Sequence, residues 1–281
     1  MGGKQQKQRG IVDRNGALLR RGYDLLIGTL MPNVQSADFE TVSSIEAMKF
    51  VAAVKGYKVW PQTVGMAGCD IPLNRRGLVA EGTSAAINAR WLLMVDMDTA
   101  AINPKMILPL IQHMEQGHRI VGTVCFGKKQ PHFPMAGFID LDTGLTDCMP
   151  DFEPDQGLMQ VDWVGAGCLM IDLSVFAELE KASFEVFPGQ TVPCAQLPLF
   201  HKSMGFNKVT KCYQEIGEDI TFCLKCKSAG IKVFLDTGLL TGHRYHYDVG
   251  WRDYTQYRDS IGKLIADGKK PAELWSNRGP E

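Results

Sequence analysis

The stretch RWLLMVDMDTAAINP, Arg90–Pro104, decides how the chain is read. An apolar run, LLMV, ends in two aspartates one residue apart, Asp96 and Asp98. A short apolar run of this kind reads as a buried strand. Residues two apart in a strand share a side, so both carboxylates would face one spot. That spot lies beyond the carboxyl end of the strand, where open α/β sheets bind ligands. Two bare carboxylates are costly to bury there. A hard divalent cation, Mg²⁺ or Mn²⁺, offsets the cost and bridges to phosphate oxygens. A DxD alone also reads as a turn and a helix cap. Here the next helix has its own start, with Asn103 as N-cap and Pro104 at its first position.

Outward from this strand the chain alternates. Tyr23–Pro32 (YDLLIGTLMP) reads as a buried strand running into a loop. A helix follows, with Ser36 as a possible N-cap, Val42, Ile45, Met48, Phe50 and Val51 at roughly helical spacing, and Gly56 at its end. YKVWPQTV (57–64) reads as a short strand and LVAEGTSAAINA (78–89) as a helix. After the aspartates, Met106, Ile107, Leu110, Ile111 and Met114 recur at helical spacing, and Gly117 closes that helix. RIVGTVCF (119–126) is another buried strand. This β-α-β-α-β-α-β order predicts an α/β fold with a mostly parallel sheet flanked by helices.

The second half is mixed. AGFIDLDTGLTDC (136–148) reads as a hairpin. VDWVGAGCLMIDLSVFAELE (161–180) reads as a strand or loop entering a helix. GEDITFCLKCKSAG (217–230) is a short helix closed by Gly230, and IKVFLDT (231–237) a strand. The chain from about Trp251 looks helical and amphipathic. The expected layout is a flexible basic arm over 1–22, one catalytic domain over 23–250 and a helical tail over 251–281. The domain's nucleotide-binding half spans about 23–130, and its acceptor half, with a smaller mixed sheet, about 131–250.

Composition sets outer limits. The 281 residues are 45% hydrophobic and 22% charged, an ordinary globular mix able to bury a core. Thirty Lys and Arg face 31 Asp and Glu, which gives no strong nucleic-acid signal. Six of those bases fall in the first 22 residues, while Gln130–Trp163 holds seven acids and no Lys or Arg. Eight scattered cysteines without a signal peptide fit reduced thiols and a cytoplasmic protein. No apolar run is long enough for a transmembrane segment. The CxxC at Cys223–Cys226 has no second pair to complete a zinc site. GAG at Gly165–Gly167 lacks the third glycine of a dinucleotide fingerprint.

Two further stretches carry chemistry. GHRYH (242–246) puts His243 after a late strand, where a neutral imidazole suits a metal and the Arg244 guanidinium a phosphate. GED puts Glu218 and Asp219 in the first turn of a helix. The macrodipole favours acids there. A carboxylate in a dry cleft is also a general base.

Taken in order, DLLIGTLMPN, NRRGLVAEG, DMD, VDWVGAGCLMI, GEDITFCLKCKSAGIKVFLDT and GHRYH resemble a GT-A-fold, family-2-like glycosyltransferase of the compact viral or bacterial kind, over roughly Tyr23–His246. The resemblance implies a metal-dependent hexosyltransferase using a nucleotide-sugar donor of UDP or GDP type and a glycan or other hydroxyl acceptor. It implies base contacts from Pro32 and Asn33, and a nucleotide contact from Arg75 or Arg76. Asp96 would touch ribose or metal, Asp98 and His243 would ligate the metal, Asp219 would be the base in an inverting reaction, and Glu218 would face the acceptor. Trp163 and the Gly165–Gly167 turn would line the sugar pocket. Two alternatives stay open at this point. One is a nucleotidyltransferase-like enzyme, although the loop MPNVQSADFE lacks the Gly, Lys and Arg it would need. The other is an inactive carbohydrate-binding module of the same fold.

Overall fold

The computed structural model describes residues 22–31, 39–68, 70–127, 132–140, 145–148, 152–187, 189–208, 210–244, 248–249, 255, 258–259 and 266. In chain order the first half forms β1 (Tyr23–Met31), α1 (Phe39–Val54), β2 (Val64–Ala67), α2 (Ile71–Thr83), β3 (Ala89–Asp96), β4 (Thr99–Ala100), α3 (Ile107–Glu115) and β5 (Ile120–Val124). The second half adds β6 (Ala136–Asp140), β7 (Leu145–Cys148), β8 (Leu158–Val161), β9 (Trp163–Val164), β10 (Cys168–Asp172), α4 (Ser174–Leu179), β11 (Ser183–Phe187) and β12 (Gln190–Pro193). It ends with β13 (Ser203–Asn207), β14 (Cys212–Ile216), α5 (Glu218–Ser228), β15 (Val233–Leu240), β16 (Gly242–Arg244) and β17 (Asp248–Val249). The chain is therefore α/β, as expected.

Among the described residues the main sheet has seven strands in the order β2-β1-β3-β10-β5-β15-β8. β1 runs parallel to β2 and β3, and β5 parallel to β15. β10 lies between β3 and β5, antiparallel to both, and β8 is antiparallel to β15. The sheet is thus more mixed than the alternating front half predicts, because a strand from the second half is inserted between two from the first.

Both faces of the sheet are covered, so its strands are apolar without alternation. In β1, Leu26 faces a core shared with Leu78 of α2, Phe176 of α4 and Phe222 of α5. Its neighbours Leu25 and Ile27 face the opposite core, with Met48 of α1 and Leu110 of α3.

Three expected elements shift. Val59 makes only an isolated bridge to Leu25, and the paired strand starts later, at Val64. Pro61 lacks the N–H that a ladder through 57–64 would need. The helix expected from Leu78 begins at Ile71, capped by Asp70, whose carboxylate accepts from Leu73 N at 2.9 Å; it stops at Thr83. The start signal, Asp70 followed by Pro72, begins eight residues ahead of Leu78. Within α1, Ile45 and Met48 are buried, but Phe50 is 70% exposed and Val42 also faces outward. The helix is apolar round much of its circumference, so spacing alone does not choose its inner face.

Ser36 lies outside the described residues, as do the arm before Gly22 and most of the tail; Thr255, Arg258, Asp259 and Ala266 are helical. Asn103 does cap, accepting from Lys105 N at 3.0 Å, and opens a 3₁₀ turn over Pro104–Met106 that runs into α3. No helix among the described residues is long and apolar enough to cross a membrane.

Candidate functional site

The site forms where β1 and β3 end together. Leu30 of β1 pairs with Asp96 of β3. Met97 N donates to Leu30 O at 3.1 Å, and Asp96 N donates to Gly167 O at 2.9 Å. The backbone at Asp96 and Met97 is therefore held by β1 on one side and by the residue just before β10 on the other. β3 stops at Asp96, and Asp98 lies in the turn that follows. Both aspartates nonetheless line one small cleft with Leu30, Gly68, Ile71 and Asn74.

Arg75 is the centre of this arrangement. It is buried, and its guanidinium reaches three parts of the chain at once. Nη2 donates to Asp96 Oδ2 at 3.2 Å, Nε to Glu218 Oε1 at 3.4 Å, and Nη1 to the Ala166 carbonyl at 3.2 Å. The planar fork of arginine suits such a three-way contact. Burial opposes the charge, but Asp96, Asp219 and Glu218 outweigh it and hold the guanidinium's pKa above its ordinary value. Arg75, and not Arg76, makes these contacts. Arg76 is only half-buried, and its Nε has no hydrogen-bond partner.

Asp219 stands in the first turn of α5. Its Oδ2 accepts from Ala166 N at 3.4 Å and its Oδ1 from Ile220 N at 2.8 Å. Burial and the neighbouring Glu218 raise its carboxyl pKa, against the pull of Arg75 and the two amides. Gly165 keeps the turn close. A methyl group there would lie 2.9 Å from Met135 Cβ and 3.7 Å from Asp219 Oδ2.

On the other side of the cleft, β16 pairs with β4, placing His243 opposite Thr99. Arg244 N donates to Asp98 O at 2.7 Å. These bonds bring His243 Nε2 to 3.8 Å from Asp98 Oδ1. The other ring nitrogen, Nδ1, lies 2.7 Å from the Phe126 carbonyl, which fixes the ring with Nε2 toward Asp98. Burial lowers the imidazole pKa, but Cys125, Asp98 and the Phe126 carbonyl together raise it to about 9.

The expected metal trio is only partly assembled. Asp98 and His243 stand together, while Asp96 is turned onto Arg75. Among the described residues no three His, Cys, Asp or Glu side chains form a ready-made cage. The donor set still fits Mn²⁺ or Mg²⁺: carboxylates with one oriented imidazole. Asp96 Oδ1 is buried with no hydrogen-bond partner, an acceptor left over at the cleft. Burial and Asp98 hold the Asp96 carboxyl above its usual range against the pull of Arg75.

Several expected site residues sit elsewhere. Trp163 is 1% exposed and belongs to the core beneath the turn, so its ring does not line a sugar pocket. The Arg244 guanidinium pairs with Glu40 of α1, beside a separate hollow lined by Thr41, Ser44 and Thr99. Neighbouring strand residues point to opposite sides, so His243 and Arg244 part there. Pro32 and Asn33 lie outside the described residues, as do Tyr245 and His246. Cys223 and Cys226 are buried free thiols on α5.

Sequence reasoning missed the Ala166 carbonyl, Cys125 and the Phe126 carbonyl. Cys125 and Phe126 immediately follow a strand parallel to β15, and that position was the available signal. It also passed over the hairpin β13–β14, whose alternating pattern leads directly into GED.

No protein-family model matches the sequence, and no curated protein sequence is similar to it. Solved structures resemble its fold, among them the two that follow. The crystal structure of A197 from STIV is 11% identical at a TM-score of 0.47, over 79% of this chain and 86% of that one. The catalytic domain of Drosophila beta1,4galactosyltransferase 7, in complex with xylobiose, is 13% identical at a TM-score of 0.41, over 84% of this chain and 79% of that one. Both TM-scores lie under 0.5, so the functional reading rests on the side chains of the site.

Proposed function

We propose that this protein is a GT-A glycosyltransferase that moves a sugar from a nucleotide-diphosphate donor to an acceptor hydroxyl. One observation carries the reading. Arg75 joins Asp96 of DMD, the backbone of Ala166 in the WVGAG turn and Glu218 of GED in one hydrogen-bonded network at the strand ends. Three motifs far apart in sequence thus share one counter-charge.

Asp219 is the base in this reading. Its raised pKa makes the ionised carboxylate a better proton acceptor, typically worth about 10²–10⁴ in rate. The acceptor O–H proton passes to Asp219. The acceptor oxygen bonds to the anomeric carbon as the bond to the donor phosphate breaks, and the nucleoside diphosphate leaves with the electron pair. A single carboxylate base without a covalent intermediate supports inversion. Glu218 orients Arg75 and borders the acceptor side.

Asp98 and His243 would hold Mn²⁺ or Mg²⁺, with Asp96 Oδ1 facing the same cleft. When bound, the ion would supply Lewis-acid neutralisation of the leaving diphosphate. The chain's own part is to orient His243 through the Phe126 carbonyl and to keep Asp96 against Arg75.

Calorimetry with UDP, GDP, CDP and dTDP, with and without Mn²⁺, tests the reading on wild type and Asp98→Ala. The expected result is binding of one nucleotide that needs both Mn²⁺ and Asp98. Absence of binding under every condition would overturn it.

A further inference from the structure

β15 carries a break in register just before the cleft. Its Asp236 pairs with Thr123 of β5, and its Leu240 pairs with the next residue, Val124. Four steps along β15 thus match one along β5, and Thr237, Gly238 and Leu239 are extra. The chain closes back on β5 at Thr241. Its N donates to Val124 O at 2.8 Å, and its Oγ1 lies 3.2 Å from Thr123 Oγ1. Two residues later stands His243, with Nδ1 2.7 Å from the Phe126 carbonyl. Had β15 kept unbroken register, His243 would fall three residues farther along, about 10 Å at roughly 3.3 Å per residue. The bulge is therefore what lets the ring stop beside Phe126 and Asp98. Bulges re-aim side chains in this way.

A buried carboxylate holds the bulge. Asp236 is 7% exposed. Leu235 points into the core shared with α5, so Asp236 points to the other side of the sheet, toward α3. Its Oδ1 accepts from Gly238 N, two residues on, at 2.9 Å, which folds the extra residues into a turn. Its Oδ2 lies 2.7 Å from Nε2 of His113 on α3. An ionised carboxylate only accepts, so Nε2 is the donor. His113 Nδ1 is buried without a hydrogen-bond partner, so among the described residues Asp236 is what the ring bonds. Thr237 pins the middle of the bulge from the other edge, donating from N and Oγ1 to Gly157 O at 3.1 and 2.9 Å. Gly238 leaves room for the turn, since a methyl group there would lie 2.8 Å from Asp155 Oδ1.

We propose that His113 and Asp236 are positioning residues for His243: their buried pair ties α3 to the bulge of β15 and so fixes where the imidazole meets Asp98. Neither side chain lines the cleft, so neither is a catalytic residue. A pair that served packing alone could be replaced by apolar side chains of similar shape. Such a replacement could not hold the Gly238 amide. The use of this position by a metal rests on the glycosyltransferase reading; the position itself does not.

Hydrogen exchange on the full, metal-free chain tests the position. The amides of Thr241 and Arg244, the latter bonded to Asp98 O at 2.7 Å, report on the segment that carries His243. In Asp236→Ala and His113→Leu both should exchange about tenfold faster, with amides 92–95 of β3 unchanged. His113→Gln, whose side-chain amide can replace Nε2 as donor, should return close to wild type. Exchange at Thr241 and Arg244 that stays at the wild-type rate, or rises only together with β3, overturns the proposal. Should Asp236→Ala not fold, His113→Leu, at the more exposed end of the pair, decides alone. Calorimetry with Mn²⁺ gives a second readout. Affinity should fall about tenfold in His113→Leu and recover in His113→Gln. An affinity unchanged in His113→Leu also overturns the proposal. If wild type binds no Mn²⁺, the metal reading fails, and the exchange result still decides the position of His243.

Discussion

Arg75 and Glu218 stand 143 positions apart in the chain, and their side chains meet at 3.4 Å in the wall of the cleft. The same guanidinium holds Asp96 from the other side. One buried cation thus sets the spacing between the DMD strand and the GED helix, and the first prediction concerns it.

Arg75→Ala leaves Asp96 and Glu218 without their shared counter-charge. Removing one partner of a largely buried ion pair costs about 3–5 kcal/mol, and the partial exposure of both acids places this case near the lower end. Denaturant unfolding should show a loss of about 3 kcal/mol near pH 8. The loss should shrink toward pH 5, because the uncompensated carboxylates are then relieved by protonation. A loss that is equal at both pH values would count against the charge-pairing account. Arg75→Lys should recover part of the stability, since it keeps the charge without the planar fork.

Asp219→Asn should lower transfer by about 10²–10⁴ and leave nucleotide affinity close to wild type. Because the carboxyl is raised above its ordinary 3.8, the acidic limb of the wild-type rate should lie above that value. The sign for stability follows the same shift. Asp96 and Asp219 both bind their protons more tightly in the folded state, so each opposes folding as pH rises through its folded value. A pH–rate profile of wild type, with activity measured in the Asn variant, checks the assignment. Full activity in the variant would remove Asp219 from the chemistry.

Metal affinity should depend on pH through His243. The imidazole, raised to about 9, is protonated near neutrality, and a metal must displace that proton. Mn²⁺ affinity should therefore climb by up to about tenfold per pH unit between 6 and 8. Calorimetry with Mn²⁺ in buffers of different ionisation enthalpy would show the released proton. His243→Ala should abolish both the binding and the proton release. A pH-independent affinity would sink the assignment.

Lys225 offers a test away from the cleft. It is fully buried on α5, and its ammonium donates to the Pro198 and Leu199 carbonyls at 2.6 and 2.9 Å. Burial lowers its pKa from 10.5 to about 8. Between those values the unfolded chain binds the proton and the folded chain does not, so Lys225 favours folding increasingly as pH rises. Urea titrations at pH 7.5 and 10 should show the stability of Lys225→Met falling behind wild type by an additional 1–3 kcal/mol or so at the higher pH. A constant difference would mean the ammonium is not displaced on folding.

Much of this molecule was legible in local pattern. The apolar runs of β1, β3 and β5 announced strands covered on both faces, and Asn103–Pro104 announced a helical start. Asp96 and Asp98 announced a polar site at a strand end. Local pattern failed where the deciding contact was distant. Nothing between Arg75 and Arg76 tells which one faces inward; the positions of Asp96, Glu218 and Ala166 do. Trp163 read as a pocket ring and is a core ring, because β9 pairs with β6 and turns the indole inward.

By itself the sequence determined the α/β class, the positions of β1, β3, β5 and β15 and the residue types of the cleft, since these follow from periodicity, caps and the cost of burying charge. Only the tertiary structure decided that β10 inserts antiparallel between β3 and β5, that His243 meets Asp98 while Arg244 turns to Glu40, and that Arg75 binds three motifs together. Those outcomes depend on pairings between segments tens to hundreds of residues apart. Their energies arise only once the chain is closed, so no local window contains them.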